Sequence, residues 1–255
     1  MSTRILNTPT ASVRVYADAD ELALEAARRF AHLADQYVGE RGRFTVALSG
    51  GSTPRGMFTI LAKEPFVDTV PWSSILFFWG DERTVPPDHQ KSNYRMANET
   101  LLSRVRVPRE NIFRIPAEGR SPDFAAAAYA ESLAQTLDCS TGLPRFDLIL
   151  LGMGQDGHTA SLFPFTTALH VIDRICVANH VGRLQTYRIT LTRVSINEAR
   201  NVTFLVSGAE KAEALKAVLE GPAEPYRYPS QLIRPRDGSL LWMADEAAAS
   251  LLEGC

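Results

Sequence analysis

The side chains of this sequence best suited to chemistry fall in a few short segments. Gly152-Met-Gly-Gln-Asp-Gly-His158 sets Asp156 and His158 beside glycines that let a substrate approach the backbone closely. Imidazole changes charge near neutrality, which suits a general base, and a neighbouring carboxylate raises its basicity. The plainer alternative is a hydrogen-bonded structural histidine, a reading that fits the isolated His32 and His180 better. No G-x-S-x-G nucleophile elbow accompanies His158, so water is the expected nucleophile.

A second segment, Leu48-Ser-Gly-Gly-Ser-Thr-Pro54, offers Gly50, Gly51, Ser52 and Thr53 where a helix is expected to begin. Free backbone N–H groups and the helix dipole favour an anion there, and a phosphate fits; a plain strand-to-helix turn is the alternative. The dipole supplies only ~0.3–1 kcal/mol at an exposed site, so cationic side chains should assist. Three are available. Arg83 follows Asp81 and Glu82 in Gly80-Asp-Glu-Arg83, Arg188 lies in Tyr-Arg-Ile-Thr-Leu-Thr, and Lys211 closes Ser207-Gly-Ala-Glu-Lys211. A cation in the first turn of a helix, where acids are favoured, suggests a bound anion. The charged triplet around Arg83 also admits a surface ion pair.

Other site types are poorly supported. The second segment lacks the Gly-Lys-Ser/Thr of a nucleoside-triphosphate loop. Residues 152–157 match G-x-G-x-x-G, but Pro164 interrupts any helix that follows, and no strand ending in Asp or Glu comes at the expected spacing. There is no H-E-x-x-H and no paired Cys/His spacing, so no metal and no cofactor are expected. Cys139, Cys176 and Cys255 are widely spaced and outside polar motifs, which reads as reduced structural thiols rather than a disulfide framework or a catalytic cysteine.

These segments need a frame that gathers them. Short apolar runs at residues 44–48, 75–79, 146–151 and 202–206 each end in polar residues, and helical patterns cover 18–37, 54–62, 93–105, 123–137 and 210–219. Ser52 or Thr53 is the expected cap of the second helix, and the alanines at 247–249 read as helix. Further strands are expected at 174–178, 187–191 and 239–243. Strands alternating with helices imply an α/β fold with a mostly parallel, doubly wound sheet, helices on both faces and ligands bound outside the carboxyl edge. The Pro-rich stretch 221–235 reads as a loop that could cover that edge.

The chain has 255 residues, of which 45% are hydrophobic, enough for a sizeable core, and residues 1–255 are expected to form one α/β domain. Lys and Arg number 27 against 29 Asp and Glu, a net charge of −2 that argues against a nucleic-acid partner and leaves small anions open. No apolar run approaches the ~20 residues of a membrane span, and the first residues do not form a secretory signal, so a cytoplasmic location is expected. The expected state is a monomer or weak homo-oligomer.

Taken together and in order, SGGSTP, FFWGDERTVP with the following SNY, FDLILLGMGQDGHTASLFP, RITLT and VSGAEKA resemble the 6-phosphogluconolactonase family over nearly the whole chain. The resemblance implies a glucosamine-6-phosphate deaminase-like fold. It also implies hydrolysis of 6-phosphoglucono-1,5-lactone to 6-phosphogluconate in the oxidative pentose phosphate pathway, without a metal. On that reading His158 activates water and Asp156 orients it. Gly50, Gly51, Ser52, Thr53, Arg83, Arg188 and Lys211 make the substrate and phosphate pocket, and Asp81 steers sugar hydroxyls. The related deaminases carry a glutamate five residues after the histidine; Phe163 stands there in this sequence, which favours a lactonase. A phosphosugar sensor without turnover would present the same binding residues.

Overall fold

The computed structural model describes residues 4–8, 10–119, 121–140 and 142–253; Cys255 lies outside them. An amino-terminal hairpin of β1 (Arg4–Asn7) and β2 (Ser12–Tyr16) leads into the long helix α1 (Ala19–Arg41). Asp18 caps α1 by accepting from the Glu21 N–H, the Glu21 carboxylate accepts from the Ala17 N–H, and Gly42 stops the helix with φ 73°. Leu22, Ala26, Phe30 and Leu33 make its buried stripe.

Next come β3 (Phe44–Leu48), α2 (Ser52–Leu61), a single turn α3 (Phe66–Thr69), β4 (Ile75–Trp79), β5 (Asp81–Arg83), α4 (Asn93–Ala97) and α5 (Pro122–Thr136). They are followed by β6 (Leu148–Leu151), β7 (Cys176–Val181), β8 (Thr186–Leu191), α6 (Arg193–Asn197), β9 (Asn201–Val206), α7 (Ala212–Leu219) and β10 (Ser239–Asp245).

The main sheet has seven strands in the order β1-β2-β10-β9-β6-β3-β4, parallel except for the edge strand β1. Strands β3, β6 and β9 are buried along their whole length, as a sheet covered on both faces requires. Aromatic rings fill the layers beside them: Phe204 stacks on Trp242 at 3.8 Å, and Phe78 packs between Phe113 and Phe146. Each such side chain contributes roughly 1.5–3 kcal/mol on burial. Among the described residues no helix is long and apolar enough to cross a membrane.

The neighbours β3 and β6 connect in opposite directions, β3 outward to β4 and β6 toward β9. That reversal opens a crevice at the carboxyl edge, where α/β sheets bind ligands.

The structure corrects several expectations. The strands expected near 174–178 and 187–191 form, but β7 and β8 join β5 in a separate antiparallel sheet, order β5-β8-β7. Asp81, Glu82 and Arg83 are thus a strand and not only a turn. Gly51, not Ser52 or Thr53, occupies the cap of α2, with φ 110° and no side-chain cap. The helix expected over 93–105 is α4 followed by one π turn, and residues 247–249 form turns without a helix.

Candidate active site

Three turns that follow β3, β6 and β9 meet in a cleft of about 210 Å³, with Arg83 and Asp81 of β5 and Asn93 of α4 completing its wall. Gly50, Gly51, Ser52 and Thr53 line it from the start of α2, and His158 and Lys211 line it from the other two turns. The first turn of α2 holds no acidic residue and no side-chain cap, so its leading N–H groups are left for a ligand. Thr53 Oγ1 shares a 2.7 Å hydrogen bond with Ser207 Oγ, which ties this turn to the one after β9. Gly50 is required by close approach: a Cβ there would stand 1.9 Å from Asn93 Oδ1.

His158 Nδ1 lies 2.5 Å from Asp156 Oδ1. Burial pushes the Asp156 carboxyl up, but the hydrogen bond and charge of His158, with Arg183 beyond, bring it down to about 2. An ionised carboxylate only accepts, so Nδ1 carries a proton, and in the neutral imidazole the lone pair is then on Nε2. Nε2 makes no hydrogen bond among the described residues. Arg183, on the loop between β7 and β8, binds the other Asp156 oxygen and covers the Phe163 ring at 5.1 Å. Gly154 makes room for the pair, since a Cβ there would fall 2.0 Å from His158 Nδ1 and 2.6 Å from Asp156 Oδ1.

Arg83 and Arg188 stand directly opposite each other on β5 and β8. Arg83 donates to the Lys91 carbonyl oxygen and lines the cleft, while Arg188 is not among the lining residues. Neither is ion-paired with a carboxylate among the described residues. Desolvation and the facing Arg83 charge lower the Arg188 pKa. Lys211 sits in the short 3-10 turn before α7, also without an ion pair among the described residues.

The two neighbouring carboxylates separate in role. Asp81 Oδ2 accepts from Ser161 Oγ at 2.6 Å and Oδ1 from Asn93 Nδ2 at 3.3 Å, leaving lone pairs toward the cleft. Glu82 is buried and accepts from the N–H groups of Arg83, Asn93 and Tyr94 and from Ser92 Oγ. It therefore anchors the start of α4, although burial pushes its pKa up.

Sequence reasoning missed Arg183, Asn93, Ser161 and Gly154 as contributors. A lone arginine in a polar loop carries no local signal; Asn93 was visible only within the SNY motif. The stretch 221–235 does not line the cleft. It is fastened to Gly157, with Ser230 donating from N and Oγ to the Gly157 carbonyl oxygen and Tyr228 packed against Gly157. Among the described residues no three His, Cys, Asp or Glu side chains gather as a metal-ligand set.

The family model for glucosamine-6-phosphate isomerases/6-phosphogluconolactonase matches residues 17–242. A 6-phosphogluconolactonase of Nostoc sp. is 46% identical over 220 residues, covering 86% of this chain and 88% of the relative. One from Haemophilus influenzae is 40% identical over 207 residues, covering 81% and 87%. The solved structure of 6-phosphogluconolactonase from Trypanosoma brucei superposes with a TM-score of 0.83 at 29% identity, covering 98% of this chain and 100% of that one. A monomeric glucosamine-6-phosphate deaminase, 21% identical with a TM-score of 0.78, shares the fold. The chain belongs to the glucosamine-6-phosphate isomerase/6-phosphogluconolactonase family.

Proposed function

We propose that this chain hydrolyses 6-phosphoglucono-1,5-lactone to 6-phosphogluconate, with His158 as general base and without a metal or other cofactor. The observation that carries the reading is the His158–Asp156 hydrogen bond of 2.5 Å in a cleft that also contains an uncapped, acid-free helix start. The names of the relatives point to the same substrate.

In this mechanism Nε2 of His158 takes a proton from water as the water oxygen attacks the lactone carbonyl carbon. The bond from that carbon to the ring oxygen then breaks, and the imidazolium returns its proton to the ring oxygen, which leaves as a hydroxyl. The acid so formed ionises to the product carboxylate. Asp156, charged throughout, holds the imidazole in the proton-accepting tautomer and stabilises the imidazolium. A positioned base of this kind contributes ~10²–10⁴-fold.

The phosphate is assigned to the α2 start, where Gly50, Gly51, Ser52 and Thr53 offer N–H and hydroxyl donors, with Lys211 and Arg83 supplying charge. Arg188 acts from behind Arg83, and Asp81 turns its free lone pairs toward the sugar hydroxyls. Phe163 stands where the deaminase branch carries a proton-carrying glutamate, and an apolar ring there favours hydrolysis over deamination. The test is a timed assay of freshly generated lactone, followed as acid release with and without the protein. Loss of lactone clearly faster than the spontaneous background is expected; an identical time course overturns the assignment.

A further inference from the structure

The amino ends of β3, β6 and β9 lie at the sheet edge opposite the catalytic cleft, and four arginines collect there. Arg41 ends α1, and Arg43, Arg145 and Arg200 precede β3, β6 and β9; with Asp138 and Asp147 they line a second cleft of about 470 Å³. Four guanidiniums thus face two carboxylates. Asp147 is buried and already engaged, accepting from the Thr45 N–H at 2.9 Å and from Arg41, with Arg200 Nε 3.4 Å away. Asp138 reaches Arg200 only at 3.7 Å, with 47% of its side chain in solvent.

Beyond these ion pairs, two buried guanidinium donors lack a hydrogen bond among the described residues. Arg43 and Arg145 make no ion pair among the described residues, and the Nε atoms of Arg145 and Arg200 are buried without a hydrogen bond. A buried guanidinium N–H is unfavourable unless an acceptor meets it. Forked guanidinium donors match phosphoryl oxygens better than any neutral ligand. The Arg41 guanidinium carbon lies over the Tyr37 ring, 4.5 Å from its centroid, so one wall of the cleft is positioned before any ligand arrives.

We propose that this cleft is a second ligand site, separate from the catalytic one, for a small phosphorylated molecule carrying at least two negative charges. Inorganic pyrophosphate is the probe, titrated calorimetrically into the whole protein at ionic strength held constant with potassium chloride. Saturable binding is expected, and the Arg43→Gln/Arg145→Gln variant should weaken it about tenfold, the scale of a lost charge-assisted hydrogen bond. The same variant should hydrolyse lactone as the unmodified protein does. Lys211→Ala, which alters the catalytic cleft, should leave the pyrophosphate site intact, so the two sites fail independently. Arg43→Gln alone, at an exposed position, provides a weaker version of the loss should the double variant fold poorly. The proposal is overturned by absence of saturable binding, by unchanged affinity in the arginine variants, or by abolition of binding in Lys211→Ala.

Discussion

The ring of Phe163 lies on the ring of His158, with centroids 4.1 Å apart and planes inclined by 21°. Arg183 covers Phe163 at 5.1 Å and binds Asp156, which in turn binds His158, so four side chains close a loop around the imidazole. The hydrogen bond fixes one edge of the ring and the stack fixes its tilt. Phe163→Ala keeps the first restraint and removes the second. A base displaced by ~1 Å loses up to ~10²-fold in rate, so kcat should fall about ten- to a hundredfold with KM little changed. Steady-state lactone kinetics check this, and a change confined to KM would show that Phe163 contacts substrate instead.

His158→Ala and Asp156→Asn separate the proposed base from its partner. His158→Ala should lower enzyme-dependent hydrolysis by ~10²–10⁴-fold while circular dichroism remains unchanged. Asp156→Asn should lower kcat by a smaller factor, because an amide offers no charge to the imidazolium. The Asp156 carboxyl titrates near 2 in the folded protein against an ordinary 3.8. A depressed carboxyl stabilises the fold above its unfolded pKa, and that contribution is lost as pH falls through the folded one. Asp156 should therefore contribute roughly 2 kcal/mol at neutral pH, lost progressively as pH falls from about 5 to about 1. Denaturant melts of both proteins at pH 7 and pH 2.5 would measure the difference.

Gly154→Ala tests the geometry without touching a polar group. Its backbone is not in the left-handed region, so the substitution introduces no torsional strain. The new methyl would fall 2.0 Å from His158 Nδ1, and the imidazole must swing away from Asp156. The expected outcome is a loss of kcat close to that of Asp156→Asn, with stability lowered by only ~1–3 kcal/mol, the range for overpacking. Full activity would mean that the loop relaxes around the methyl.

Strands β3, β4, β6 and β9 were legible in the sequence because each is an apolar run that stops at glycine or polar residues, as Phe44–Leu48 does before Ser49-Gly50-Gly51; β2, a short strand with Arg14 between Val13 and Val15, was not. Their common carboxyl edge then followed from the crossover rule, which brought Gly50, His158 and Lys211 together in advance. The second sheet was not legible. β5 is only Asp81–Arg83, three charged residues with no apolar pattern, and nothing local to β7 or β8 encodes antiparallel pairing. Arg183 was invisible for a related reason: its role depends on where the β7–β8 turn lands relative to Asp156, a distance of 27 residues along the chain. The cap of α2 was misassigned because hydroxyls at Ser52 and Thr53 look like caps. Gly51 takes the place with a positive φ, and Ser52 and Thr53 line the cleft, the Thr53 hydroxyl shared with Ser207.

The facing guanidiniums of Arg83 and Arg188 lead to a prediction of opposite signs for stability and binding. Like charges directly opposite on paired strands are unfavourable by a few tenths to ~1 kcal/mol, and no carboxylate forms an ion pair with either among the described residues. Burial first, and the Arg83 charge after it, lower the Arg188 pKa, and the second of these is the same repulsion seen from one partner. An anionic substrate between or beside them relieves it. Arg188→Gln should therefore raise the stability of the ligand-free protein by about 0.5 kcal/mol, while raising KM for the phosphorylated lactone about tenfold, the usual loss for one charge-assisted contact. Arg83→Gln should raise KM further, since Arg83 itself lines the cleft. Thermal melts without ligand and lactone kinetics on the same preparations measure both signs. A destabilised Arg188→Gln protein with unchanged KM would assign that guanidinium to the fold and remove it from the binding site.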